Sequence, residues 1–159
     1  MYVNDDHVMS IIKQRIFDVF KQELMSDIEN SSRGHLYQHL IDNVCLQYYL
    51  SKPVNRISQK YIAKYRLSAH NLNIERGRYQ NINRPDRKCD KCSLNDLEDE
   101  FHFILKCPYY DDLRKTYIKP YYYKKPSVFK LIRLLSVQNV KELNKLCQFL
   151  MKASKRRSM

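Results

Sequence analysis

Residues 89–107 read CDKCSLNDLEDEFHFILKC and decide the fold prediction, because they contain four metal-ligand candidates. The spacing is Cys89-x2-Cys92-x9-His102-x4-Cys107. A two-residue gap lets a tight turn direct two thiolates at one point, and the nine-residue gap lets the chain reverse through residues 93–97. Three sulfurs and one imidazole nitrogen suit the tetrahedral coordination of Zn²⁺. The sequence therefore predicts a CCHC zinc knuckle, in which four protein ligands make the zinc structural.

Other interpretations of this segment stay open at the level of sequence. The cysteines could be buried thiols beside a surface histidine, or Cys89 and Cys92 could form a redox pair. The redox pair is disfavoured because no β-strand precedes it and no helix begins at it. A catalytic zinc is also disfavoured, since it would keep one coordination position open. Glu98, Asp99 and Glu100 are expected to stabilise the start of the following helix through its dipole.

The composition favours helices around this segment. The 159-residue chain has 2 glycines and 5 prolines, whereas β-sandwiches and barrels need many glycine-containing turns. Hydrophobic residues make up 43% of the chain, which is enough to form a core. We therefore expect a mainly α fold, a small helical domain with an embedded CCHC zinc knuckle.

Apolar residues recur at helical spacing along much of the chain. They predict helices over residues 7–25, 35–50, 57–68, 98–106, 108–118, 128–135 and 140–153, with irregular chain over 75–91 and a connector over 119–126. Cys45, His70 and Cys147 are expected to be core residues. Three units are predicted: an N-terminal helical segment (1–50), a basic helix plus zinc-binding module (51–118), and C-terminal helices with a basic tail (119–159).

Positive charge is concentrated after residue 50. The net charge is +12, and residues 1–50 carry −3 while residues 51–159 carry +15. A field of this size favours polyanions, chiefly nucleic acid, over a merely solvated basic surface or an acidic protein partner. The candidate contacts are cations for phosphates and one ring for a base: Arg76, Arg78, Tyr79, Arg84, Arg87, Lys88 and Lys91.

The absence of several sequence motifs indicates where the protein is located in the cell and which functions it lacks. No apolar run reaches the roughly 18 residues of a membrane span, and the N-terminus has no signal-peptide pattern. We expect an intracellular protein, nuclear or cytoplasmic, whose five cysteines are thiols or ligands rather than disulfides. No Ser-His-Asp order, Gly-rich phosphate loop or paired-carboxylate motif is present, so we expect no enzymatic activity and no small-molecule substrate.

Several segments together resemble a known family. They are KYRLSAHNLNIERGRY (64–79), Arg84, Arg87, the Cys89/Cys92 pair, EDEFHF (98–103) and CPYYDDLR (107–114). These residues are similar to the zinc-binding segment downstream of the polymerase domain in reverse transcriptases of LINE-type (non-LTR) retrotransposons. The resemblance covers about residues 48–118, and its specific part is the zinc ligands with Cys107-Pro108.

The resemblance implies an accessory module that helps a polymerase grip template RNA or target DNA. This chain has no polymerase or endonuclease motif, so catalysis is not implied. We expect a non-enzymatic, zinc-stabilised module that binds RNA or DNA with low sequence specificity. The alternative is a docking module, whose acidic N-terminal helices bind a polymerase domain or another protein. Exposed apolar side chains within residues 8–50 would favour that alternative.

Overall fold

The computed structural model describes residues 5–41, 44–51 and 55–159. These residues are mainly α-helical and include no β-strand, as the scarcity of glycine predicts. The first half contains α1 (Asp5–Asn30), α2 (Gly34–Tyr37), α3 (Tyr48–Ser51), α4 (Arg56–Arg66) and α5 (Asn73–Tyr79). The second half contains α6 (Asp111–Tyr117), α7 (Pro120–Tyr123), α8 (Val128–Leu135) and α9 (Val140–Arg157). Between them lie 3₁₀ turns at Arg84–Asp86 and Pro108–Tyr110 and a π-helical turn at His102–Lys106.

The core forms where α4 packs against α9. On α4, Ile62 is fully buried, and the Tyr65 hydroxyl is 2.8 Å from the Ser154 hydroxyl of α9. The Tyr65 ring stacks on Phe103 of the π-helical turn, with ring centroids 5.2 Å apart. His70, predicted to be a core residue, is buried and stacks on the Tyr65 ring, with ring centroids 5.0 Å apart. The helix pair and the π-helical turn therefore share one core.

The predicted helix over residues 35–50 is wrong in its middle. The described part of this stretch forms only the single turns α2 and α3. Arg66 of α4 donates from Nη2 to the Leu40 carbonyl at 3.1 Å and to Gln47 Oε1 at 2.8 Å. The Leu40 carbonyl therefore bonds to α4 rather than within a helix. Cys45 lies in the non-helical part and is exposed, so its prediction as a core residue is wrong, whereas Cys147 is buried as predicted.

The irregular chain predicted over residues 75–91 begins later than expected, because α5 extends to Tyr79. Gly77 lies inside this helix and is buried, although glycine weakens helix interiors. A Cβ atom at Gly77 would lie 2.6 Å from Cγ of Arg87. The glycine is therefore required by the close packing of the Arg87 side chain across α5.

The last helix is longer than predicted and includes the expected basic tail. α9 begins at Val140, after Asn139 caps the Glu142 amide, and continues to Arg157. Arg157 is only 8% exposed. The basic tail is therefore helical, and Arg157 follows Leu146, Leu150 and Ala153 on the buried side of α9.

α1 is confirmed as a helix and is longer than predicted, but its apolar side chains lack a core. Ile28 is its one buried residue among those described. Ile12, Ile16 and Phe20 are 44%, 64% and 52% exposed.

Within the described ranges, no helix combines the length and apolar character needed to cross a membrane.

Candidate metal centre

A short hairpin positions the first two ligands. The Cys89 amide donates to the Asp96 carbonyl at 2.9 Å, and the Glu98 amide donates to the Arg87 carbonyl at 3.0 Å. Asn95 closes the reversal with a φ of 56°, a left-handed conformation that asparagine tolerates better than most residues. The predicted chain reversal through residues 93–97 is therefore confirmed. The hairpin turns the Cys89 and Cys92 side chains toward the π-helical turn.

The π-helical turn positions the other two ligands. The Cys107 amide donates to the His102 carbonyl at 2.7 Å, a bond that spans five residues. In an α-helix, with 3.6 residues per turn, residues five apart point about 140° away from each other. The wider π turn brings His102 and Cys107 to nearly the same side. The sequence predicted an ordinary short helix here, and the His-x4-Cys spacing was the signal for the wider turn.

The four predicted ligands lie close together, as their spacing in the sequence predicts. Their ligand atoms all fall within 4.8 Å of one another, and no other such cluster occurs in the described part of the chain. The Cys89 and Cys107 sulfurs are 3.9 Å apart, and Cys92 Sγ is 3.4 Å from His102 Nε2. Tetrahedral zinc would give edges of about 3.8 Å between two sulfurs and about 3.5 Å between sulfur and nitrogen. The arrangement could hold a metal ion and fits this geometry.

The thiols are crowded enough to disturb one another. Hydrogen bonding with Cys107 lowers the pKa of the Cys89 thiol to about 4. The same contact raises the pKa of Cys107. Burial raises the pKa of Cys92. Three sulfurs this close do not all ionise unless a cation offsets their charge, and thiolates are the form that binds metal.

Carboxylates and a lysine surround the histidine. Asp96 Oδ2 lies 3.7 Å from His102 Nδ1, and Lys106 donates to the same oxygen at 2.6 Å. Metal-bound histidines commonly direct their second nitrogen toward a carboxylate, which fixes the ring orientation. Asp99 accepts the His102 amide at 2.8 Å, as predicted for a carboxylate at a helix start, whereas Glu98 and Glu100 have other partners. At 3.7 Å from Asp96, His102 Nδ1 has no hydrogen-bond partner among the described residues, while Nε2 is directed at the Cys92 sulfur.

A buried ion pair joins the centre to the end of α9. Glu98 is fully buried and accepts from Arg157 Nε at 2.8 Å and from Arg157 Nη2 at 2.6 Å. Asn73 links to both, because its amide donates to Glu98 at 2.7 Å and its side chain accepts from Arg157 at 3.0 Å. The Asn73 side chain also donates to the Lys88 carbonyl at 2.7 Å. These hydrogen bonds connect the base of the hairpin to both α5 and α9.

The role of Arg157 was not predicted from the sequence. A signal was present, since Leu143, Leu146, Leu150 and Ala153 form a stripe with alternating spacings of three and four. Arg157 is the next position of that stripe, which indicates a cation facing the core. Glu100 has a separate structural role: its Oε1 accepts from the Ser68 hydroxyl at 2.5 Å and lies 2.8 Å from His70 Nε2.

The candidate nucleic-acid contacts fall into two groups. Two arginines already have partners. Arg87 donates to the carbonyls of Ile82 and Ile74, both at 2.9 Å, and Arg78 donates to Glu75 at 2.8 Å. The side chains of the other cations have no hydrogen-bond or ion-pair partner among the described residues. Three are exposed and Lys91 is half-exposed: Arg76, Arg84, Lys88 and Lys91.

Tyr79 is the exposed aromatic residue of this region. Its side chain is 68% exposed, and the guanidinium carbons of Arg33 and Arg78 lie 5.5 Å and 5.2 Å from its ring centroid. This exposed ring therefore lies beside two positive charges. Such a surface suits a base with its adjoining phosphates.

Comparison with known proteins adds no relative to this picture. No protein-family model, no curated protein and no solved structure matches the chain. The assignment of function therefore depends on the chemistry of the chain's own residues.

Proposed function

We propose that this chain is a non-enzymatic module that uses one structural zinc ion to hold a nucleic-acid-binding surface. The observation that carries the proposal is the convergence of Cys89, Cys92, His102 and Cys107 on one point. Four protein ligands complete a zinc coordination sphere and leave no position for substrate or water. A closed sphere of this kind supports a structural role for the metal.

Zinc is the proposed metal because of the donor set. Three thiolates and one imidazole favour zinc over Mg²⁺ or Ca²⁺, which prefer oxygen ligands. Bound zinc would connect the hairpin to the π-helical turn, and its binding energy would contribute to the folding of both. Residues 87–107 would then lose their fixed geometry when the metal is removed.

Nucleic acid is the proposed partner because unpaired cations lie beside this centre. Lys88 and Lys91 belong to the hairpin itself, and Arg84 precedes it in a 3₁₀ turn. Arg76 projects from α5, whose neighbouring Tyr79 offers an exposed ring. These groups are suited to phosphates and to one stacked base, and they include no pattern for reading base edges. We therefore propose binding with low sequence specificity, to RNA or DNA.

The test is fluorescence anisotropy on single- and double-stranded RNA and DNA across a salt series. Changing Arg76, Arg84 and Lys88 together to alanine should weaken binding and make the slope of log K against log salt shallower by about 2 to 3. The matched control changes Lys13, Arg15 and Lys21 of α1 to alanine and should leave most of the slope. Absence of wild-type binding at low salt, or equal effects of both variants, would contradict the proposal.

The proposal includes the resemblance to the zinc-binding segment of LINE-type reverse transcriptases. In that context the module would help a polymerase grip template RNA or target DNA without performing chemistry. The resemblance contributes a biological setting, while the metal-ligand cluster and the exposed cations are features of this chain itself.

A second candidate function, protein docking, is favoured by the exposed apolar side chains of α1. Ile12, Ile16, Val19 and Phe20 follow helical spacing, and all are exposed. A helix with this many exposed apolar side chains can bind a hydrophobic groove in a partner, for which a polymerase domain is our candidate. Co-elution with a LINE-type polymerase domain should be lost in an Ile12→Asp/Ile16→Asp variant and kept in a Gln22→Asp control. No complex with the wild type, or an unaffected Ile12→Asp/Ile16→Asp variant, would contradict docking.

A further inference from the structure

A second basic feature lies far along the chain from the metal centre, at the start of α9. A cleft of about 470 Å³ opens there between α9 and the chain that runs from the end of α6 into α7. Part of its lining is apolar, since the buried residues Ile118, Leu134 and Leu146 contribute to it. The volume falls in the range of about 300–1,000 Å³ that is typical of small-ligand sites.

Lysines surround the opening of this cleft. Lys115, Lys119, Lys141 and Lys145 line it, and Glu142 is the acidic residue among its lining side chains. Glu142 is ion-paired with Lys119, and Lys115 is paired with Asp111 at 3.0 Å. Lys141 and Lys145 have no ion-pair or hydrogen-bond partner among the described residues. The cleft therefore combines a partly apolar lining with two uncommitted positive charges.

Tyrosines complete the lining. Tyr122 is buried at one side of the cleft, and Tyr117 is half-buried. Lys152 lies 4.9 Å from the Tyr117 ring centroid and donates to its hydroxyl. A ligand that suits this environment is flat and apolar in one part and anionic in the adjoining part. A nucleotide has both properties, whereas an acidic peptide supplies the charge without the flat body.

We propose that this cleft accepts an unpaired base of single-stranded nucleic acid, with Lys141 and Lys145 contacting the flanking phosphates. The inference rests on the proposed function and specifies its ligand as single-stranded. Bases in a duplex are stacked and paired, so they cannot enter a cleft without being extruded. Unpaired bases can leave the stack and pack against aromatic and apolar side chains.

Phosphate contacts by Lys141 and Lys145 should contribute to the salt dependence of binding. In a Lys141→Ala/Lys145→Ala variant, the salt slope for a single-stranded oligonucleotide should become shallower by about 1.4, or about 0.7 for each lost phosphate contact. The same variant should bind duplex with an unchanged slope. Lys13→Ala/Lys21→Ala removes the same charge from α1 and is the matched control. Circular dichroism before binding verifies that each variant is folded.

The insertion of a base into the cleft is tested with a matched oligonucleotide that carries abasic sites. It keeps the phosphates but offers no base, so the wild type should bind it about 5- to 150-fold more weakly than the intact strand. The Lys141→Ala/Lys145→Ala variant should discriminate less between the two strands. Photo-cross-linking of a 4-thiouridine strand should label the peptide that contains Tyr117.

Two outcomes would overturn the inference while leaving the proposed function intact. They are a preference for the intact over the abasic strand that is the same in the wild type and in the Lys141→Ala/Lys145→Ala variant, and an unchanged slope in that variant. A wild type that binds neither single strands nor duplex would instead overturn the proposed function itself.

Discussion

The helices α1, α4 and α9 all contain apolar residues at helical spacing, but their environments differ. Those of α4 and α9 are concentrated on one side of the helix, whereas those of α1 are spread more widely around it. In α4, Ile62 is fully buried against α9, whereas in α1 Ile16 is 64% exposed. Residues 56–159, here called the body, contain the metal-ligand cluster and the buried ion pairs, and α1 contains neither.

This difference teaches that apolar residues at helical spacing predict a helix, but they do not predict what the apolar side chains of that helix pack against. α9 is held in place by particular polar contacts, including Arg157 to Glu98 and Ser154 to Tyr65. α1 is followed by the tight junction at Gly34, and most of its apolar side chains face solvent. Substitutions that affect the two regions unequally will test whether they are energetically separate.

The largest effect should come from Arg157→Ala in the body. The change leaves the fully buried Glu98 carboxylate without its partner, and breaking a buried pair in this way costs about 3–5 kcal/mol. The free energy of unfolding is measured by urea denaturation followed by circular dichroism. Lys155→Ala, an exposed change on the same helix, is the control and should stay within about 0.5 kcal/mol. Equal effects of the two changes would show that the pair does not stabilise the body.

A smaller and directly matched effect should come from the same substitution in each region. Ile62→Ala should lower the free energy of unfolding by about 2–5 kcal/mol, because it leaves a cavity between α4 and α9. Ile16→Ala should change it by less than about 0.5 kcal/mol, because its side chain is already in water. A comparable loss in both variants would mean that α1 is packed in solution, by self-association for example.

The smallest effect should come from the junction that follows α1. A Cβ atom at Gly34 would lie 1.7 Å from the Ile28 carbonyl oxygen, so Gly34→Ala must displace α2 from the end of α1. We expect a cost of about 1–3 kcal/mol that is confined to this junction. Hydrogen exchange should become faster in residues 28–37 and stay unchanged in α4 and α9. Faster exchange in α9 as well would show that α1 and the body unfold together.

Much of the fold and of the candidate site could be predicted from local patterns. The mainly α fold follows from periodicity and the scarcity of glycine, and the clustering of Cys89, Cys92, His102 and Cys107 follows from their spacing. These features depend on residues close in sequence, where geometry allows few alternatives.

The remaining features depend on residues far apart in sequence. The break in the predicted 35–50 helix depends on Arg66, which bonds to the Leu40 carbonyl across 26 positions. The commitment of Arg87 to backbone carbonyls and of Arg157 to Glu98 could not be inferred from charge alone. An arginine has the same appearance in a sequence whether it binds phosphate or satisfies a buried acceptor.

The most direct measurement is metal content combined with hydrogen exchange. Native mass spectrometry of the purified chain should find one zinc ion per molecule, and Cys89→Ser should reduce that content. Chelation of the wild type should greatly accelerate exchange in residues 87–107, while residues 8–25 of α1 should stay unchanged. Absence of zinc from the wild type, or exchange in residues 87–107 that does not respond to chelation, would contradict the proposal that a metal holds the hairpin and the π-helical turn together.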